Sequence, residues 1–213
     1  MKTDDLVALL ASGVLPTAPQ AASRKLGIAL GLGIPISLAI LLAGFGLRPD
    51  LMAVINLPMF WVKLLFPLCI ASAALVIVHR LARPGVRAGQ AWLGFLVPVL
   101  LMGSLGVAAL WRVSAQDWSM ALLGQTWNTC VLSIGVISLP VLLATLVSLK
   151  WLAPTRPDLA GAAAGALAGG LGATIYALHC VEMAAPFVFV WYSASMLLMV
   201  FAGALLGARW LRW

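Results

Sequence analysis

Apolar residues run along this chain in long blocks with few polar interruptions. Six blocks reach the roughly 20 residues needed to cross a bilayer's hydrocarbon core: 26–47, 57–79, 91–111, 130–152, 159–181 and 185–207. They lack the alternating polarity of barrel strands. The pattern therefore predicts an all-α membrane protein, a six-helix transmembrane bundle. The first block is too long for a signal-peptide core and is expected to stay in the chain. Pro35, Pro67, Pro98 and Pro140 fall inside blocks, where membrane helices tolerate kinks.

Two units follow: a segment over 1–25 and a helical domain over 26–213. The segment opens "MKTDDLVALLASG". Thr3 is placed to cap a short helix. Asp4 and Asp5 favour its dipole, and Leu6, Leu9 and Leu10 form one apolar face that ends near Gly13. So short a helix needs a surface, and its acidic start suits a groove on another protein better than an anionic leaflet.

Composition agrees with the blocks. The chain is 63% hydrophobic and only 9% charged, with a mean hydropathy of +1.09, against about 25% charged residues in soluble domains. The net charge is +7, but its distribution points to the membrane and not to direct nucleic-acid binding. Lys2, Arg24, Lys25, Arg80, Arg83, Arg87, Lys150, Arg156, Arg209 and Arg212 fall on one side of the predicted topology, and only Arg48 and Arg112 on the other. This bias predicts that both termini are cytoplasmic. Tryptophans at the block ends fit an interfacial belt.

Cys130 opens block 4 and Cys180 closes block 5. Each lies about 21 residues from the loop joining these blocks, roughly 32 Å of helix, so both are expected at one depth near the outer surface. Such a pair can form a disulfide or bind a soft metal as thiolates, with His179 and Glu182 as auxiliary ligands. Two plain buried thiols are the simpler alternative. Cys69 has no partner at its depth and is expected to be packed. Lys63 is the one charge clearly inside a block, Lys150 standing near the end of block 4. It is either a functional intramembrane charge or a residue snorkelling to the interface, with Asp117, Glu182 or a helix-end carbonyl as partner.

Gly161, Gly165 and Gly169 form a double GxxxG, with single copies at Gly27/Gly31 and Gly203/Gly207. Such stripes serve packing within one chain or a homo-oligomer. Thr155 or Asp158, Asp50, and Asn128 or Thr129 stand where they could cap helices. No set of residues forms a catalytic constellation, and no cofactor is implied beyond a soft-metal effector.

Several stretches resemble the negative-regulator-of-sigma-F family: "MKTDDLVALLA", "PMFWVKLLFP", "TWNTCVLSI", "APTRPDLAGAAAGALAGGLGATIYALHC" and "APFVFVWYSASMLL" with "GARWLRW". The likeness spans nearly the whole chain. It implies a six-helix anti-sigma factor of the bacterial inner membrane. Such a protein holds an extracytoplasmic-function sigma factor inactive and releases it under heavy-metal or oxidative stress. The resemblance carries the stress response to Cys130 and Cys180, and the sigma contact to Thr3–Leu10. A small transporter or channel, or a membrane thiol oxidoreductase, is the rival reading. Against these stand the lack of an inverted repeat and of a CxxC pair.

Overall fold

A chain in lipid must satisfy its backbone polar groups internally, so long apolar runs become helices. The computed structural model describes residues 3, 5, 20–83 and 85–212, and every regular element among them is helical. Six helices are long and apolar enough to cross a membrane: α1 Ala21–Phe45, α2 Pro58–Leu81, α3 Gly89–Trp111, α4 Trp127–Lys150, α5 Pro157–Tyr176 and α6 Ala185–Trp210. Six such helices are compatible with a multi-pass membrane protein. Of the segment over 1–25, Thr3 and Asp5 are exposed, while Asp4, Leu6, Leu9 and Leu10 lie outside the described residues.

The termini of the helices follow local chemistry. α2 and α5 each begin with proline in the first turn, where its missing N–H costs nothing. α1 closes in a π turn over Leu41–Phe45 and ends at Gly46, whose φ of 76° suits glycine alone among common residues. The expected caps form differently. Asp50 pairs with Arg48, Asn128 and Thr129 lie inside α4, and α5 starts after Arg156 without a side-chain cap.

α5 is the central helix: 78% of its most apolar window is buried, against 11% for α3. Glycines let three helices approach it. A Cβ on Gly170 would come within 2.8 Å of the Pro67 carbonyl of α2, and one on Gly172 within 3.0 Å of Ser138 Cβ on α4. Towards α6, a Cβ on Gly165 would meet the Met199 carbonyl and sit 2.8 Å from Val200 Cα. Gly161 packs likewise against Gly203 and Gly207. The double GxxxG is thus used within the chain. Gly27 and Gly31 face outward, with nothing within 4 Å of an added Cβ.

Basic residues collect at one end. Lys25 Nζ donates to Trp151 O at 3.2 Å, Arg80 donates to Ala88 O at 2.9 Å, and Lys150 lies over the Trp210 ring. Ser23 Oγ and His79 Nε2 are 2.9 Å apart and join α1 to α2 there. At the opposite end α5 stops at Tyr176, five residues earlier than its apolar run suggests. Residues 177–184 form a loop instead, and Cys180 lies on it. Cys69 is exposed, not packed. On its stretch of α2, Phe66 and Ile70 take the buried positions to either side.

Candidate functional site

The 177–184 loop is held by turns and by cations. Leu178 N–H donates to Ile175 O, and both His179 and Cys180 N–H donate to Tyr176 O. The carbonyls of this loop need hydrogen-bond donors where they are withdrawn from solvent, and Lys63 reaches two of them from α2. It is fully buried, and its Nζ donates to Cys180 O at 2.6 Å and to Glu182 O at 2.7 Å. Of the partners foreseen for it, it meets Glu182, through the backbone carbonyl, and its other acceptor, Cys180 O, lies in the loop and not at the helix end. Asp117 accepts from Ser114 instead, and the Glu182 carboxylate accepts from Gln125 N–H at 2.7 Å. Complete burial rules out snorkelling.

Arg48 approaches the same carbonyl from beyond α1. One of its terminal nitrogens donates to Cys180 O at 3.2 Å, and its backbone N–H donates to Leu178 O at 3.1 Å. Its Nε and other terminal nitrogen grip Asp50 through both carboxylate oxygens at 2.8 Å, a bidentate fork. The Arg48 hydrogen bond holds the Asp50 carboxyl below the usual carboxylate range, and the same bond raises the guanidinium. His179 Nδ1 contacts Gly46 O at 3.0 Å. The loop bearing Cys180 is therefore tied to the ends of both α1 and α2.

Cys130 stands in the first turn of α4. Cys130 and Cys180 are both free, buried, and part of one core cluster with Tyr176, Phe187 and Tyr192. The two tyrosine rings lie 6.2 Å apart, and Tyr192 also lies under the Lys63 ammonium, 5.8 Å from its ring centre. Two thiols, one from α4 and one from the 177–184 loop, thus share one buried cluster beside the Lys63 ammonium.

The foreseen auxiliary ligands do not join them. His179 is engaged with Gly46 and Glu182 with Gln125, and among the described residues no three of His, Cys, Asp and Glu come close enough to hold a metal ion. Sequence reasoning counted Arg48 only as a loop charge. The signal was its spacing: a cation two residues before Asp50, in a loop next to a helix end.

A family model described as "Negative regulator of sigma F" matches residues 10–213. The chain is 41% identical over 213 residues to the "Probable anti-sigma-F factor NrsF" of Azospira oryzae, with the full length of both chains covered. It is 37% identical over 217 residues, again across both full lengths, to the "Anti-sigma-F factor NrsF" of Caulobacter vibrioides. No solved structure matches.

Proposed function

Because the chain belongs to the negative-regulator-of-sigma-F family, we propose that it is an inner-membrane anti-sigma factor whose cysteine pair senses oxidants. Its basic end and both termini face the cytoplasm, and Cys130 and Cys180 face the periplasmic side. The segment around Thr3–Leu10 holds an extracytoplasmic-function sigma factor. The observation that carries this reading is the placement of both thiols in one buried cluster, Cys130 on α4 and Cys180 on a loop tied to α1 and α2.

The chemistry balances with a hydroperoxide as oxidant. Two thiols give up two protons and two electrons and an S–S bond forms. The O–O bond breaks, and the oxygens leave as water and an alcohol, or as two waters from hydrogen peroxide. Oxidation is favoured over metal binding because His179 and Glu182 are engaged elsewhere. Drawing Cys180 towards Cys130 displaces the 177–184 loop. That loop holds Gly46 and Arg48 at the far end of α1, and the sigma-binding segment leads into the near end. α1 is thus a rigid element that both sites bias. A transport role is disfavoured because the Lys63 ammonium is taken up by two carbonyls.

The test is a sigma-dependent reporter challenged with hydrogen peroxide. Cys130→Ser and Cys180→Ser should each abolish induction while repression in unstressed cells persists. Normal induction in both variants would sink the proposal.

A further inference from the structure

The 177–184 loop is fastened at several points, and one of them differs in kind. Arg48 N–H donates to Leu178 O at 3.1 Å, His179 Nδ1 contacts Gly46 O at 3.0 Å, and Gln125 N–H donates to the Glu182 carboxylate at 2.7 Å. These ties join the loop to other connecting segments. Lys63 comes instead from within α2. It has no exposed surface, and its Nζ donates to Cys180 O at 2.6 Å and to Glu182 O at 2.7 Å. The two carbonyls therefore turn inward on either side of Val181, whose own surface is half exposed. Arg48 adds a longer contact, 3.2 Å, to the same Cys180 carbonyl.

A buried charge is tolerated where hydrogen-bond partners or an opposite charge replace water. Among the described residues Lys63 has no carboxylate within ion-pair distance. Asp50 is gripped by Arg48, Asp117 accepts from Ser114, and the Glu182 carboxylate accepts from Gln125. Two loop carbonyls and the face of the Tyr192 ring take the place of water. An apolar side chain of similar volume would often stabilise such a position better, so packing alone does not account for a lysine here. What the lysine adds is dependence in both directions. The loop can leave only if two short charge-assisted hydrogen bonds break, and the ammonium left behind must then be reached by water. This favours two discrete arrangements, loop seated or loop displaced, over a gradual drift.

We propose that Lys63 is the positioning residue of the resting state: it fastens the 177–184 loop in the seated arrangement that keeps the sigma factor bound. This inference rests on the proposed function, in which displacement of this loop starts release through α1. Lys63 sets how readily that displacement occurs. Its acceptors are backbone oxygens, so the tie does not depend on the chemistry of either thiol. Removing the ammonium should therefore mimic the signal even in a chain that cannot form a disulfide.

The experiment uses the full-length protein. Hydrogen–deuterium exchange, resolved to peptides, is read in membrane vesicles, and a sigma-dependent reporter is read in unstressed cells. Lys63→Met keeps the length of the side chain and removes its donors. Exchange over 177–184 should rise at least about tenfold, because hydrogen bonds to a charged group are lost. Exchange over 160–172, the buried stretch of α5, should stay within about twofold. Reporter activity without oxidant should rise at least about fivefold in Lys63→Met, and equally when Cys130→Ser and Cys180→Ser are also present.

Unchanged exchange over 177–184 in Lys63→Met would overturn the assignment. So would an equal rise over 160–172, which would mark Lys63 as a support of the whole bundle. A loosened loop with full repression would also overturn it, by detaching the loop from the sigma factor. If Lys63→Met does not accumulate in membranes, Lys63→Gln takes its place. That variant keeps a neutral donor and loses the charge, and loop exchange equal to that of the unaltered chain would again overturn the proposal. Failure of the redox reading is seen separately, as normal peroxide induction in the serine variants, and leaves the loop exchange of Lys63→Met as it is.

Discussion

At the residue scale, the cysteine end is organised by two cations that share one acceptor. Cys180 O takes Lys63 from α2 and Arg48 from the α1–α2 connection. This repays part of the cost of burying both, because a buried charge is tolerated only where hydrogen-bond partners replace water. Arg48→Ala should leave Lys63 as the only cation on that carbonyl and cost about 1–3 kcal/mol, read as a lower melting temperature in detergent. An unchanged melt would show that neither the Cys180 carbonyl contact nor the fork with Asp50 contributes measurably to stability. The Asp50 carboxyl is held below its ordinary range by Arg48. Its contribution to stability is therefore complete above about pH 4, the value of a free aspartate, and is lost as the pH falls through the lowered value in the folded state. Melting followed from pH 7 to pH 3 should show this acid loss in the unaltered chain and a weaker one in Asp50→Asn. Superimposable profiles would remove the pair as its source.

At the element scale, α5 is built almost entirely of glycine, alanine and a few larger apolar residues. Its glycines are not equivalent, because different ones face α2, α4 and α6. Without a hydrophobic drive between helices in lipid, close backbone contact is the main source of association, and small residues permit it. Gly165→Leu would drive a side chain into the Met199 backbone and should cost about 3 kcal/mol, seen as loss of folded protein from membranes. Gly27→Leu lies in open space and should change stability by no more than about 0.5 kcal/mol. Equal damage from both would mean that α1 packs through its outward glycines and not only through Gly33 against Val141 of α4. The GxxxG spacing was legible in the sequence. Which partner each glycine meets was not, since a small-residue stripe matches any close helix, including one from a second copy.

At the scale of the whole molecule, the proposed function assigns different tasks to the two ends of the bundle. Deleting residues 1–12 should cause constitutive activity of the sigma factor while the membrane domain still accumulates; continued repression would refute the tail assignment. The number of helices, their order and the division of charge between the ends were determined by the sequence alone. These depend on local quantities: the length of an apolar run against the thickness of a bilayer, and the count of Lys and Arg in each connection. The pairing of Cys130 with Cys180 at one depth was also open to counting, because helical rise converts residue number into distance. Tertiary structure decided the rest. It ended α5 at Tyr176 and placed Cys180 on a loop, against an apolar run that continues beyond. It sent Lys63 inward to two carbonyls, where periodicity left snorkelling equally open. It also turned His179 and Glu182 away from the thiols. Each of these outcomes depends on groups more than a hundred residues apart in the chain or on a neighbouring helix. No local pattern encodes which unpaired carbonyl a buried cation will find.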